Sequence, residues 1–395
     1  MKIYKLFLVL ATLLFSFSCS KDENALVVDP FDTLTINTKN PTLNADGLLL
    51  LTGGNLSTPL ESDIYNAGVC FSEIPNPTLN GNASSSFGTI MGNSFETSIF
   101  GILFGKTYYL KAFVINTETG ETKYGNEVTF NQPIELTTSI VKNISVTGFS
   151  VDVNVGGILS SNNERGICYS TSQNPTVANN TYEDVTAGAG IFTISPDGGT
   201  LSPSFYVSPN TVYYLRSYVN LNGQYYYGNQ VSFKTCGYVA GSGGFVFFDK
   251  GEASDGWRYL EAAPAKLVNG TITQFRWVST SCTSNTFLSG IQNTLGSGLT
   301  NTAVIKSFCN FTSVGATMAT NTSLNGQNDW FLPSIDELKE MHKLKFTNQI
   351  SFSSQFLMSS SQSSNALCFA LNPANGNIFT GSKTGLYDVW QVRRF

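Results

Sequence analysis

Residues 328–338 have the sequence Asn-Asp-Trp-Phe-Leu-Pro-Ser-Ile-Asp-Glu-Leu, and the second half of this run predicts the start of a helix. Ser334 is placed to cap the free N–H groups of the first turn, and Glu337 is placed to complete a capping box. Pro333 disfavours helical backbone at the residue before it, so we expect Trp330–Leu332 to be extended and buried. The apolar residues that follow recur every three positions, which predicts one buried helix face.

The same run resembles the signature of the Lcl C-terminal domain family, named after a bacterial collagen-like adhesin and related in fold to C-type lectins and formylglycine-generating enzymes. Four further motifs of that family are present in the expected order, two before this run and two after it. They are Gly243–Asp249, Glu261–Pro264, Ser359–Ser361 and Val392–Arg394. The resemblance covers roughly residues 236–395. It implies an α+β, C-type-lectin-like domain there.

The composition of the whole chain restricts its function. With 395 residues the chain is long enough for two or three domains. Charged residues make up only 12% and the net charge is −5, which argues against nucleic-acid binding because that needs clustered Lys and Arg. Aromatic residues at 13% together with 36 glycines favour many short strands joined by turns.

The N-terminus has the pattern of an export signal. Lys2 and Lys5 precede an apolar run from Leu6 to Phe17. That run is too short to span a bilayer and is typical of a signal-peptide core. We therefore expect residues 1–18 to be a signal peptide.

The signal is followed by features of a lipid anchor. Ser16–Cys19 resembles a bacterial lipoprotein box, which implies that Cys19 is the lipidated first residue of the mature chain; an ordinary secretory signal with an incidental cysteine is the alternative. Ser20–Glu23 resembles the acidic export tag of some outer-membrane lipoproteins. We expect a lipidated tether over residues 19–33 and an outer-membrane location facing the cell exterior.

An internal repeat occupies the middle of the chain. Three pairs of segments match: Gly68–Ser72 with Gly166–Ser170, Thr107–Phe113 with Thr211–Tyr218, and Tyr124–Phe130 with Tyr227–Phe233. The first pair is 98 residues apart, and units of about 100 residues with short alternating runs are the size of a seven-stranded sandwich. We expect two fibronectin-III-like repeats, over residues 34–132 and 133–235.

The second repeat carries a further signal of that fold. Pro209, Thr211 and Tyr213 resemble the tyrosine corner of fibronectin type III domains. The first repeat keeps Thr107 but has Gly105 in place of the proline. The fold expected for the chain is multidomain, with two all-β fibronectin-III-like sandwiches followed by an α+β C-type-lectin-like domain over residues 236–395.

The cysteines fall into two groups. Cys70 and Cys168 occupy equivalent strand positions of the two repeats, and we expect both to be buried free thiols. The other cysteines that follow the signal are Cys236, Cys282, Cys309 and Cys368. In an oxidising compartment these four allow three disulfide connectivities, and the sequence alone leaves all three open.

The family resemblance implies one of these pairings. Some relatives carry a paired cysteine on either side of a glycine-rich loop, here Gly290–Gly298, which implies a disulfide between Cys282 and Cys309. Cys236 and Cys368 then remain as a candidate second pair.

The residues needed for catalysis do not assemble in the sequence. His342 is the only histidine, so a multi-histidine zinc site or a Ser-His-Asp set is not expected, and we interpret it as a solvated helix residue. Gly237–Gly244 lacks the helix and the Lys-Ser/Thr ending of a phosphate loop. The formylglycine-generating relatives rely on two nearby cysteines late in the domain, but Cys368 has no such neighbour. The sequence predicts a protein that is not an enzyme.

Four carboxylates are candidate calcium ligands, namely Asp249, Glu252, Asp255 and Asp336. Their spacing fits no EF-hand loop, and turn-forming and capping roles account for them. We expect neither a metal nor a cofactor.

Sugar binding commonly uses aromatic ring faces. The candidates are Trp257, Tyr259, Trp277, Tyr387 and Trp390, with core packing as the alternative for each. The predicted function is non-catalytic binding or adhesion at the cell surface, with carbohydrate or another extracellular polymer as ligand and the membrane as second partner.

Two other functions stay open. One is an accessory lipoprotein of an outer-membrane polysaccharide-uptake complex, and the other is an enzyme of the formylglycine-generating type. The adhesin that names the family binds sulfated polysaccharides, but the acidic balance of this chain weakens that particular ligand.

Overall fold

The computed structural model describes residues 29–45, 49–81, 83–103, 105–132, 134–156, 164–184, 188–195, 207–221, 223–283 and 285–395. The predicted signal peptide, Cys19 and most of the predicted tether lie outside these ranges. The chain divides into two compact units, of which the first comprises most of the chain up to Phe130 and the second comprises Asn131–Phe395 with residues 101–106. Within the described ranges, no helix is both long and apolar enough to cross a membrane.

The first unit contains the first repeat, and all the elements named among its described residues are strands. Its strands are β1 (Ile36–Thr38), β2 (Thr42–Leu43), β3 (Leu50–Leu56), β4 (Tyr65–Ser72), β5 (Ser84–Met91), β6 (Ser94–Ile99), β7 (Thr107–Asn116) and β8 (Thr122–Asn131). They are ordered β1-β3-β6-β5-β4-β7-β8, with β2 on β3. The path is continuous because β5 pairs with both β4 and β6.

The second repeat forms two separate sheets. Its strands are β9 (Leu136–Lys142), β10 (Ile144–Ser145), β11 (Ser150–Val155), β12 (Arg165–Ser170), β13 (Asn180–Asp184), β14 (Gly190–Ile194), β15 (Val212–Leu221) and β16 (Gln224–Lys234). One sheet has the order β14-β11-β9 and the other β13-β12-β15-β16. Sheets of three and four strands are the arrangement of a fibronectin-III-like sandwich. The chain as described is mostly β, and its repeats fit that fold.

Each repeat uses its cysteine in the same way. The Cys70 thiol donates to the carbonyl of Pro77 at 3.3 Å, and the Cys168 thiol donates to the carbonyl of Pro175 at 3.3 Å. Both thiols are free and buried, as predicted. The matching Gly-x-Cys and Asn-Pro-Thr motifs therefore belong to one local structure, a strand bonded to the turn that follows it.

The asparagine of the Tyr-Gly-Asn motif bonds the last strand of each repeat to the first strand of the same repeat. Asn126 Oδ1 accepts the N–H of Thr38 at 2.9 Å, and Asn229 Oδ1 accepts the N–H of Thr138 at 2.8 Å. A side chain at Gly228 would collide with Ser217 and with the backbone of the first strand. The asparagines that recur in the sequence therefore make equivalent contacts in the two repeats.

The tyrosine corner predicted at Tyr213 is present. Its hydroxyl accepts the N–H of Ser208 at 2.9 Å. Its ring packs against Phe233 and Tyr169, with centroids 5.8 and 5.9 Å away. The bond fixes the turn that leads into β15, and the ring fills the sandwich core.

Residues 236–395, called here the C-terminal segment, mix helices with strands. The elements are β17 (Phe245–Ser254), β18 (Trp257–Ala262), α1 (Gly298–Phe308), α2 (Gly315–Thr320), α3 (Ile335–His342), a 3-10 helix (Lys343–Thr347), β19 (Leu357–Gln362), β20 (Leu367–Leu371), β21 (Ile378–Ser382) and β22 (Val392–Arg394). One sheet has the order β10-β17-β18-β22, and a second has the order β19-β20-β21.

The second repeat and the C-terminal segment share one structure. Strand β10 pairs with β17, with Ile144 opposite Asp249 and Ser145 opposite Phe248. The N–H of Cys236 donates to the carbonyl of Ser145 at 3.0 Å. A single apolar cluster includes residues of both parts, and the boundary placed at 235/236 falls inside it. Both parts belong to the second unit.

Candidate functional site

The run that begins the predicted helix has the expected structure. Trp330, Phe331 and Leu332 are buried. Ser334 Oγ accepts the N–H of Glu337 at 3.2 Å, and Glu337 Oε2 accepts the N–H of Ser334 at 2.7 Å. The capping box is therefore complete, and helix α3 starts where the sequence predicted.

Glu337 also holds a loop that is distant in sequence. Its Oε1 accepts the N–H groups of Gly296 and Gly298, at 2.9 and 3.4 Å. Burial raises the pKa of the carboxyl group to about 7, although the three backbone N–H groups and nearby Arg394 favour the charged form. Both carboxylate oxygens of Glu337 accept bonds from the protein backbone. An acidic residue at this position of the motif therefore has a structural role.

A second buried acid, Glu261, joins three more of the motifs. Its Oε1 accepts the N–H of Gly244 at 3.0 Å and a short bond from the Ser242 hydroxyl. Its Oε2 accepts Nη1 of Arg393 at 3.2 Å, while Nε of Arg393 lies 2.8 Å from Oδ1 of Asp329. The Gly-Gly, Glu-Ala-Ala-Pro, Asn-Asp-Trp and Val-Arg-Arg motifs are thus held together by one network.

The serine run completes this arrangement. The Ser361 hydroxyl accepts the N–H of Ile335 at 3.1 Å and lies 3.0 Å from the carbonyl of Gln292. The N–H of Ser360 donates to the carbonyl of Pro333 at 2.7 Å. All five motifs quoted from the sequence therefore meet around the start of α3 and the β18–β22 pair, where they stabilise the fold.

The disulfide implied by the resemblance is present, between Cys282 and Cys309. The candidate second pair is not, because Cys236 and Cys368 are both free and buried. Cys236 lies in the core shared with the second repeat, whereas Cys368 lies in β20 within a different apolar cluster. The pairing hypothesis for these two cysteines was wrong because the fold places them in separate cores.

The five aromatic candidates are mostly core residues. Trp257, Trp277, Tyr387 and Trp390 are buried, and Tyr259 is half-buried. Three of the rings are covered by a cation: Lys250 lies 4.2 Å from the centroid of Trp257, Arg258 4.8 Å from that of Tyr259, and Lys383 4.4 Å from that of Trp277. The exposed stacking platform expected at these positions is therefore not found, because the domain uses its large rings to fill its interior.

Trp257 and Tyr259 do line two clefts of the second unit. A cleft of about 420 Å³ lies beside Trp257, and a groove of about 610 Å³ lies beside Tyr259 between the second repeat and the C-terminal segment. In each, the named ring is covered by its cation, and Tyr259 also packs on Phe395 with centroids 5.2 Å apart. Neither cleft offers the face of its nominated ring to a ligand.

His342 is not the solvated helix residue that the sequence predicted. The side chain is buried, and its Nε2 lies 2.7 Å from the carbonyl of Pro373. Burial lowers the pKa of the imidazole below its usual value. The helix face that carries it is covered by the β20–β21 connection, which single-helix reasoning could not foresee.

Three of the four candidate calcium carboxylates have other partners. Asp249 accepts two bonds from Arg258, at 2.7 and 2.9 Å. Asp336 pairs with Lys339 at 2.8 Å, and Asp255 lies 3.4 Å from Lys250. Among the residues that the structure describes, no three acidic, histidine or cysteine side chains gather as metal ligands would.

Lys383 is a buried amine that sequence reasoning overlooked. Its Nζ donates to the carbonyl of Thr286 at 2.8 Å and to Oε1 of Gln362 at 2.9 Å. Burial lowers its pKa to about 8. Since Gln362 also accepts the N–H of Leu288 at 3.1 Å, the amine helps to hold the loop after Cys282.

A partly exposed aromatic pair lies outside the residues that the sequence nominated. Phe379 of β21 stacks on Phe356, just before β19, with centroids 4.6 Å apart and planes inclined by 25°. Phe379 is 44% exposed. Beside Phe356 in the chain, Gln355 accepts an N–H of Gln274 at 3.3 Å. These four residues, called here the Phe379 platform, combine flat apolar surface with amide groups.

One sequence signal could have found this platform. Residues 346–382 contain no Asp, Glu, Lys, Arg or His over 37 positions. An uncharged run of that length that contains exposed rings differs from an ordinary solvated surface.

Comparison with known proteins adds little to this description. No protein-family model matches the chain, and no curated protein matches it. The crystal structure of chicken CNTN1 FN1–FN3 domains matches with 12% identity and a TM-score of 0.18, over 51% of this chain and 67% of that one. At that score the likeness carries no argument, and the fibronectin-III-like description rests on the strand order given above.

Proposed function

We propose that this chain is a multidomain, lipid-anchored protein of the outer-membrane surface that binds carbohydrate without catalysis. Its two repeats act as spacers, and its C-terminal segment is a C-type-lectin-like module that contacts the ligand. The N-terminal signal pattern, the lipoprotein box and the five ordered motifs support this proposal.

The Phe379 platform is the observation that carries the binding role. A sugar ring has a face of C–H groups, which packs on an aromatic face, and a rim of hydroxyl groups, which need polar partners. The stacked rings of Phe379 and Phe356 provide the first, and the paired amides of Gln274 and Gln355 provide the second. An amide can both donate and accept, as a hydroxyl does.

The environment of the buried acids supports a non-catalytic role. A general acid or base must reach the substrate. Glu337 and Glu261 are instead fully buried and occupied by backbone N–H groups, a hydroxyl or an arginine. Their bonds hold the fold, and neither carboxyl group is accessible to a substrate.

A binding screen with the full chain tests the proposal. The chain is passed over immobilised polysaccharides, and each hit is repeated with Phe379→Ala and with Phe311→Ala. Phe311 is a matched control because it is 46% exposed and lies outside the platform, three residues after the end of α1. We expect Phe379→Ala to weaken binding by about 1–3 kcal/mol, taking stacking on nucleobases as a guide, and Phe311→Ala to leave it unchanged. Equal binding by both variants would remove the platform from the proposal.

A further inference from the structure

The surface around the Phe379 platform has an unusual lack of charge. The platform lies on the β19-β20-β21 sheet, and all three strands fall within the uncharged run of residues 346–382. The exposed polar groups of this run are amides and hydroxyls, such as those of Asn375, Asn377 and Thr380. Any charge near the platform must therefore come from another part of the chain.

The charged side chains next to this sheet are bonded within the protein, and Lys383 and Asp388 are also buried. Lys383, next in sequence, is 1% exposed and bonded to Thr286 and Gln362. Arg276 donates through Nη1 to the carbonyl of Thr384. Asp388, whose N–H donates to the carbonyl of Phe356, has a buried side chain paired with Lys266 at 2.8 Å.

We infer that the ligand of the Phe379 platform is an uncharged polysaccharide. The inference rests on the proposed function and narrows it to one ligand class. Sulfated or carboxylated chains gain affinity from exposed cations, which attract them over several ångströms. Stacking on Phe379 and hydrogen bonding to the amides of Gln274 and Gln355 need no counter-charge, so a neutral sugar gains all that this surface offers.

The affinity of the full chain for matched neutral and acidic polymers tests the inference. Dextran is compared with dextran sulfate, and uncharged mannan, xylan and galactan are compared with polygalacturonate. Each titration is done at about 0.05 M and about 0.5 M NaCl, because this change shortens the Debye length severalfold and weakens ionic binding only. Circular dichroism of each variant confirms that it is folded.

We expect at least one uncharged polymer to bind with the same affinity at both salt concentrations. Phe379→Ala should lower that affinity by about 5- to 150-fold, whereas Phe311→Ala should not change it. Binding confined to the acidic polymers and lost at high salt would overturn the neutral-ligand inference while leaving carbohydrate binding in place. Binding to no polymer of either kind would overturn both.

Discussion

The carboxylate of Glu337 lies 2.9 Å from the backbone nitrogen of Gly296, a residue 41 positions earlier in the chain. The same side chain closes the capping box of α3. One acid therefore sets where the helix begins and where the preceding loop lies. This double role explains why the Leu-Pro-Ser-x-Asp-Glu-Leu run organises the C-terminal segment.

The first prediction concerns the pH dependence of stability. A glutamate has a pKa near 4.5 in the unfolded chain, and that of Glu337 is raised to about 7 in the folded one. Between these values the folded state binds more protons, so the free energy of unfolding falls as pH rises from 4.5 to 7. The contribution lost over that range is roughly 3 kcal/mol.

Urea unfolding followed by tryptophan fluorescence measures this effect, since all four tryptophans lie in the second unit. Glu337→Gln should show a flatter pH profile than the parent chain. Glu340→Gln, in the same helix but ion-paired with Lys343, should keep the parent slope. A Glu337→Gln profile as steep as the parent's would show that another group titrates.

The second prediction concerns the closeness of the loop to Glu337. A Cβ added at Gly298 would lie 2.1 Å from Glu337 Oε2 and 2.9 Å from the carbonyl oxygen of Leu332. Gly298→Ala should therefore lower the free energy of unfolding by about 1–3 kcal/mol, as overpacking does. Gly241→Ala is the control, since no atom lies within 4 Å of its added Cβ. Equal stability of the two variants in urea would contradict the close packing.

The third prediction concerns cysteine chemistry. Under native, non-reducing conditions Cys282 and Cys309 should be recovered as one cross-linked peptide pair. Cys70 and Cys168 should react with a maleimide only after unfolding, because burial raises the pKa of each thiol to about 11 and encloses it. A peptide linking Cys236 to Cys368 would contradict the structure.

Loss of the disulfide should also cost stability. The double variant Cys282→Ala, Cys309→Ala opens a loop with a sequence separation of 27. The chain-entropy model gives a loss of roughly 3.5 kcal/mol. Urea unfolding of the double variant against the parent chain measures it, and an unchanged midpoint would show that the bond adds nothing to equilibrium stability.

The fourth prediction concerns the tyrosine corner of the second repeat. Tyr213→Phe removes the acceptor of the Ser208 N–H and should lower stability by about 1–2 kcal/mol. Tyr214→Phe is the control, because this neighbouring ring is half-buried rather than in the core. Thermal unfolding of the two variants compares them directly. A larger loss for Tyr214→Phe would mean that the corner bond is unimportant.

Sequence reasoning succeeded where the determinants are local or repeated. The Ser334–Glu337 box needs only two residues three positions apart, and the tyrosine corner needs only the residues around Tyr213. The cysteine positions of the two repeats support each other by their equivalence. The Cys282–Cys309 bond followed from the family resemblance and not from spacing.

Prediction from the sequence failed where tertiary packing decides whether a side chain is buried or exposed. Trp277 is buried in an apolar cluster that includes Tyr387 and Val389, more than 100 residues away in the chain. His342 is buried by a connection that no property of its own helix encodes. The stack of Phe356 on Phe379 depends on the pairing of three strands, so the uncharged run of residues 346–382 marks the segment but not the two rings.

Hydrogen–deuterium exchange of the full chain, with and without a bound uncharged polysaccharide, locates the binding surface. We expect slower exchange in peptides that contain Gln355–Phe356 and Ile378–Thr380, with no change around Tyr259. Protection confined to the groove beside Tyr259, or to the repeats, would contradict the assignment of carbohydrate binding to the Phe379 platform.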